Sequence, residues 1–140
     1  MAMTIDVEHL GGSPAVTVVA LDGELDASNY QQVIEIVRDA YARGARGLVF
    51  DFSRLTFMAS SGLFALHSAV RIVRGETPPD AEMGWGALHE MSHDHDATGA
   101  NVRIAAPQDA IARVLERTGM TSLFGIDTSR ADAVAAIQGA

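Results

Sequence analysis

Two adjacent hydroxyls, Ser60 and Ser61, stand between an apolar strand and an apolar helix, followed at once by Gly62. A helix start is a natural place for an anion. Its first amides have no intrahelical partner and the aligned peptide dipoles leave partial positive charge there, so a phosphate is favoured without any basic side chain nearby. One reading of the pair is structural: Ser60 as the N-cap, its hydroxyl taking the amide of Gly62 or Leu63. Only one serine is needed for that cap. Ser61 is then a spare hydroxyl in the first turn, facing solvent, with Gly62 leaving room for close approach by another molecule. The second candidate chemistry is His89, Glu90, Met91, Ser92, His93, an H-E-x-x-H pattern in which two histidines one helical turn apart bind zinc and the glutamate acts as general base. His95, Asp94 or Asp96 could supply a third ligand.

The elements that would position these groups differ in quality. Gly47 to Phe52 is short and uninterruptedly apolar, as a central strand covered on both faces would be. The helix from about Ser61 to Arg74 is apolar around most of its circumference and should be substantially buried, with only its first turn exposed. The zinc pattern has no such brace. It falls between Arg74 and Asn101, a stretch punctuated by Gly75, Pro78, Pro79, Gly84, Gly86 and Gly99 that also holds Trp85, the only tryptophan. A loop of this length either carries a function or is disordered. A metalloprotease needs its helix rigid and its cleft formed, so solvated histidines titrating near neutral pH are the simpler reading of His89, His93 and His95. No metal or cofactor is expected.

Elsewhere, Met3 to Leu10 and Ala15 to Leu21 read as two strands joined by a turn. From Asn29 to Arg43, Tyr30, Val33, Ile34, Val37, Ala40 and Tyr41 recur at helical spacing, giving an amphipathic helix capped near Asp26 or Ser28 and ended at Gly44. Asn101 to Ala106 returns as a strand, Gln108 to Thr118 as a helix, Leu123 to Ile126 as a short strand and Ser129 to Gln138 as a closing helix. The alternation predicts an α/β fold with right-handed crossovers, a mixed sheet of four to five strands and about four helices. His67, on the buried helix, reads as a satisfied, partly buried histidine rather than a catalyst.

The order Asp51, Phe52, Ser53, Phe57, Met58, Ser60, Ser61, Gly62, Leu63 resembles the signature of the STAS domain, the family of sulfate transporters and anti-sigma factor antagonists. Leu21 to Asp26 is similar to the family's loop after the second strand, and the resemblance resumes from Asn101 to Leu123. It implies one STAS-like domain over residues 1–140 with an insertion at 75–100. It also implies a non-enzymatic binding module whose partner is an anti-sigma factor serine kinase, phosphorylating the serine before the glycine, here Ser61, with Ser60 as second choice. The loop and the serine turn form one surface in the family, which makes Asp22, Glu24, Asp26, Met58, Ser60, Gly62, Leu63 and Phe64 the expected partner contacts. A phosphatase resetting the site, a constitutive scaffold and a transporter-associated subunit are further roles that the resemblance carries. One departure stands out: the family commonly has an aspartate before the two serines, and this chain has Ala59.

The chain of 140 residues, 48% apolar, is long enough for one core. It contains no cysteine, hence no disulfide and no thiolate site, and fits a reducing compartment. No apolar run approaches the roughly 18 residues of a membrane span, and nothing resembles a signal peptide. The expected location is cytoplasmic. A net charge of −8 and ten cations, all arginine and scattered, exclude nucleic acid, which requires a basic stripe.

Overall fold

The computed structural model describes residues 3–76 and 101–139. Five strands form one sheet in the order β1 (Thr4–Leu10), β2 (Val16–Leu25), β3 (Gly47–Met58), β4 (Val102–Ala105) and β5 (Gly125–Asp127). The first pair is antiparallel and the remaining three are parallel. Four α-helices are described: α1 (Tyr30–Ala42), α2 (Ser60–Val73), α3 (Asp109–Arg117) and α4 (Arg130–Gln138). The mixed sheet, the strand number and the helix number agree with the sequence reading. The residues 77–100, with Trp85, the H-E-x-x-H pattern and His95, lie outside the described residues, so the expectations placed on them do too.

The sheet has two unequal faces. On one, Val19, Leu21, Leu48, Phe50, Phe52 and Ile104 pack against α1, α2 and α3 in the main core. On the other, α4 lays Ala133 and Ile137 over Val16, Val18, Val49 and Ala105. Central parallel strands covered on both sides need apolar residues at successive positions, which is why Leu48, Val49 and Phe50 are all fully buried. Gly47 lets α4 sit close: a Cβ there would lie 2.7 Å from Ile137 Cγ2. At its far end α4 is tied to the first hairpin by Gln138, whose Nε2 donates to the carbonyls of Gly11 and Pro14.

Two strands are longer than expected. Apolar patterning ends β2 at Leu21 and β3 at Phe52, yet they continue together to Leu25 and Met58, with register shifts between Ala20 and Asp22 and between Gly23 and Glu24. Bulges of this kind add residues that break strict alternation. In β3 the buried positions become Phe52, Leu55 and Met58, a spacing that no two-residue period reveals. Asp22 and Glu24 are therefore strand residues rather than loop residues. The remaining boundaries fall within a few residues of those expected, the usual uncertainty at element ends.

Candidate functional site

The end of β2 and the start of α2 meet directly. Glu24 is the register partner of Phe57 and Leu25 of Met58, and the amide of Ala59 donates to the carbonyl of Leu25 at 2.9 Å. The segment from Asp22 to Asp26 and the serine turn are thus neighbours, as the resemblance implied.

The serines sit one position deeper than expected. Ala59, in extended conformation, occupies the N-cap and offers no side-chain bond. Its carbonyl instead accepts the amides of Gly62 at 2.9 Å and Leu63 at 3.4 Å, the two donors that a Ser60 hydroxyl was expected to take. Ser60 and Ser61 are the first two helical residues, and the first turn holds no acidic side chain. The expectation that Ser61 Oγ faces solvent is corrected. The residue keeps some exposure, but its Oγ is shielded and has no hydrogen-bond partner among the described residues. Moving the helix start forward by one residue rotates each side chain by about 100°, which is enough to turn Ser61 from solvent toward its neighbours.

Gly62 is also reassigned. The close approach it permits is by its own chain: a Cβ would stand 2.6 Å from Met58 Cγ and 2.9 Å from Leu25 Cγ. Met58, Leu63 and Phe64, expected as partner contacts, are 5%, 4% and 7% exposed and belong to the main core. Phe64 is held edge-on by the Tyr30 ring, centroids 6.1 Å apart. Their side chains cannot meet a partner without unpacking the core. Phe57, which the sequence reading did not count among the contacts, is 49% exposed.

Asp26 builds the corner between β2 and α1. Its carboxylate accepts the amide and the hydroxyl of Ser28 at 2.9 and 2.6 Å, and these bonds, the hydroxyl first, hold it below the usual aspartate range. Asn29 completes the corner, its Oδ1 accepting the Asp26 amide and its Nδ2 donating to the Glu24 carbonyl. Asn29, rather than Asp26 or Ser28, is the N-cap position of α1, without a side-chain cap bond. Asp22 makes a loose ion pair with Arg54 at 3.7 Å, both largely exposed, worth little in water. His67, expected to be partly buried, is completely so, because α2 is covered continuously from Gly62 to Val70.

A second polar cluster lies on the α4 side of the sheet. Arg130, the first residue of α4, donates through Nε and Nη2 to Asp51 Oδ2 at 3.1 and 2.9 Å and through Nη1 to Glu8 at 3.3 Å. Burial alone would raise the Asp51 carboxyl, but bonds from Ser53 and Arg130 outweigh it and hold the group below its usual value. A cleft of about 380 Å³ opens beside it, lined by Asp6, Asp22, Asp51, Ser53, Arg54 and Arg130 among others. Two of its ion pairs are internal, Arg130 with Asp51 and Arg54 with Asp22. Among the described residues no group of three His, Asp or Glu side chains could hold a metal ion, and no helix is long and apolar enough to cross a membrane.

A five-stranded mixed sheet, helices on both faces and a serine pair opening a buried helix define an α/β domain with that serine turn, partly exposed, at the carboxyl end of its central strand. The STAS domain model matches residues 5–76 and 81–133, and the chain belongs to the STAS domain family. No curated protein matches the sequence. Among solved structures, an anti-sigma factor antagonist from Mycobacterium paratuberculosis is similar at TM-score 0.68 and 22% identity, over 98% of this chain and 95% of that one. The anti-sigma factor antagonist SpoIIAA in its unphosphorylated form gives 0.66 and 19%, over 98% of each chain. The Bacillus cell fate determinant SpoIIAA in its phosphorylated form gives 0.61 and 18%, over 94% of this chain and 96% of that one. At these identities the likeness is one of fold.

Proposed function

We propose that this protein is a non-enzymatic, cytoplasmic regulatory module, an anti-sigma factor antagonist that binds an anti-sigma serine kinase and is switched off by phosphorylation of Ser61. The observation that carries the reading is a hydroxyl at the start of a helix that the fold does not use. Ser61 Oγ has no hydrogen-bond partner among the described residues, while Ala59 does the capping through its carbonyl. The family membership of the chain supports the same reading, as do neighbours of similar fold that are anti-sigma factor antagonists, one of them solved in both phosphorylation states.

In the proposed reaction a change of χ1 swings Ser61 outward. Its Oγ attacks the γ-phosphorus of ATP held by the kinase, the bond from that phosphorus to the β,γ-bridging oxygen breaks with ADP as leaving group still held by the kinase, and the hydroxyl proton passes to a base on the kinase. The product phosphate carries about −1.5 to −2 charges at pH 7. On this chain the α2 amides and dipole accommodate that charge, with no acidic neighbour in the first turn. In the complex it faces the remaining nucleotide phosphates, and repulsion with desolvation separates the two proteins without refolding either. A phosphatase would reset the site.

A constitutive scaffold or transporter-associated role is the second reading, favoured by the shielding of Ser61 Oγ and by Ala59 in place of the family's aspartate. The test is capture of partners from native lysate on wild-type protein, Ser61→Ala and Ser61→Glu, identified by mass spectrometry, with phosphosite mapping after addition of ATP. A serine kinase retained by wild type and Ser61→Ala, lost with Ser61→Glu, and labelling Ser61 is the expected result. Equal recovery of the same non-kinase subunits by all three would establish the constitutive role.

A further inference from the structure

The described chain leaves three large apolar side chains exposed, Val7, Phe57 and Ile126. Isolated exposed apolar residues are ordinary, and Val7 and Ile126 lie on the two outer strands of the sheet. Phe57 differs in where it stands and in how it came to be exposed. Strict alternation would bury it together with Leu55. The extra residue in β3 opposite the Gly23–Glu24 step turns Thr56 and Phe57 outward together and sends Met58 inward. The bulge is fixed by the Thr56 hydroxyl, which donates to the Gly23 carbonyl at 3.0 Å. A phenyl ring is thus held half-exposed, four residues before Ser61, by the same bulge that carries Met58 into the core, and bulges often serve to re-aim a side chain beside a functional site.

Its surroundings are acidic. Glu24 is its register partner across the parallel pair, and Asp22 stands exposed one bulge further back, in a loose pair with Arg54. The whole chain carries −8. The geometry points to Phe57 as the apolar anchor by which this protein docks on the proposed serine kinase, and to a complementary pocket on that kinase that is apolar at its base and basic at its rim, facing Glu24 and Asp22. This rests on the antagonist reading above. Docking through Phe57 and release through Ser61 are then separate devices: the ring supplies contact area that phosphorylation does not alter, and the phosphate supplies the repulsion.

The kinase recovered on wild-type protein, once purified, is titrated against wild type, Phe57→Ala, Phe57→Tyr and Glu24→Lys at low and high salt. Truncation of a buried aromatic anchor weakens binding by at least about ten-fold, whereas Phe57→Tyr stays within about three-fold. Glu24→Lys weakens binding at low salt and flattens the salt dependence. Thermal unfolding of Phe57→Ala within about 2 °C of wild type separates lost contact from lost fold, a small shift being expected of a half-exposed side chain. Binding of Phe57→Ala equal to wild type, with Ser61→Glu still released, overturns the anchor and leaves the antagonist reading standing. Failure of wild type and Ser61→Ala to bind any serine kinase removes both.

Discussion

Replacing Gly62 by alanine sets two effects of known sign against each other. Alanine is the better helix former by about 1 kcal/mol, so at an open helical position the change would stabilise. Gly62 is not open. The new methyl would stand 2.6 Å from Met58 Cγ, 2.9 Å from Leu25 Cγ and 3.0 Å from Leu25 Cδ2. Both Cγ atoms lie close to their own backbones, and Leu25 and Met58 are themselves packed in the main core, so neither can swing away as the tip of a long surface side chain would. Overpacking of this kind costs about 1 to 3 kcal/mol, and two contacts under 3.0 Å place it in the upper part of that range. The net effect is a loss of about 1 to 2 kcal/mol, or roughly 3 to 8 °C in Tm for a domain of this size. Urea titration and thermal denaturation of the two proteins measure it. Leu25→Val in the Gly62→Ala background makes room for the methyl, so the double mutant should be more stable than the sum of the single changes by at least about 0.5 kcal/mol. A Tm for Gly62→Ala equal to or above wild type would refute the packing argument and return Gly62 to the role of an open approach for a partner.

Ser61→Ala should leave stability unchanged or raise it by up to about 1 kcal/mol, because it removes a shielded hydroxyl that makes no bond among the described residues; a loss of about 1 kcal/mol in urea titration would mean the hydroxyl caps the helix after all. Asp51→Asn tests the Arg130 cluster through pH. The folded carboxyl lies below the ordinary aspartate value, so the folded protein holds that proton less readily than the unfolded chain, and the carboxylate's stabilisation is present above the ordinary value and disappears as pH falls through the lower folded one. Asp51→Asn should therefore cost about 1 kcal/mol at pH 7, modest because Arg130 is partly solvated, and the difference from wild type should vanish in strong acid; a difference independent of pH would assign the loss to shape rather than charge.

Residue pattern alone was enough for the class of fold, because burying central parallel strands on both faces demands runs such as Leu48, Val49, Phe50, and burying helices on one face demands the spacing of Val33, Ile34 and Val37. The same residue order carried the family, through Asp51 to Leu63. It also placed Ser60 and Ser61 at a helix start, since an apolar strand followed by small residues and an apolar helix leaves few other arrangements. What it did not decide was which atoms face where. The two bulges of β3 against β2 are long-range compromises between two strands that stay paired as far as Leu25 and Met58, which makes Asp22 and Glu24 strand residues and puts Phe57 in water where alternation would have buried it. The one-residue advance of α2 depends on the Ala59 amide reaching the Leu25 carbonyl, a contact between residues far apart in the chain, and with it went the roles of Ser60, Ser61 and Gly62. Local pattern fixes which residues must be hidden from water; only the assembled sheet fixes the rotation of each element about its axis, and in a turn of a few residues that rotation decides whether a side chain belongs to the core or to a partner.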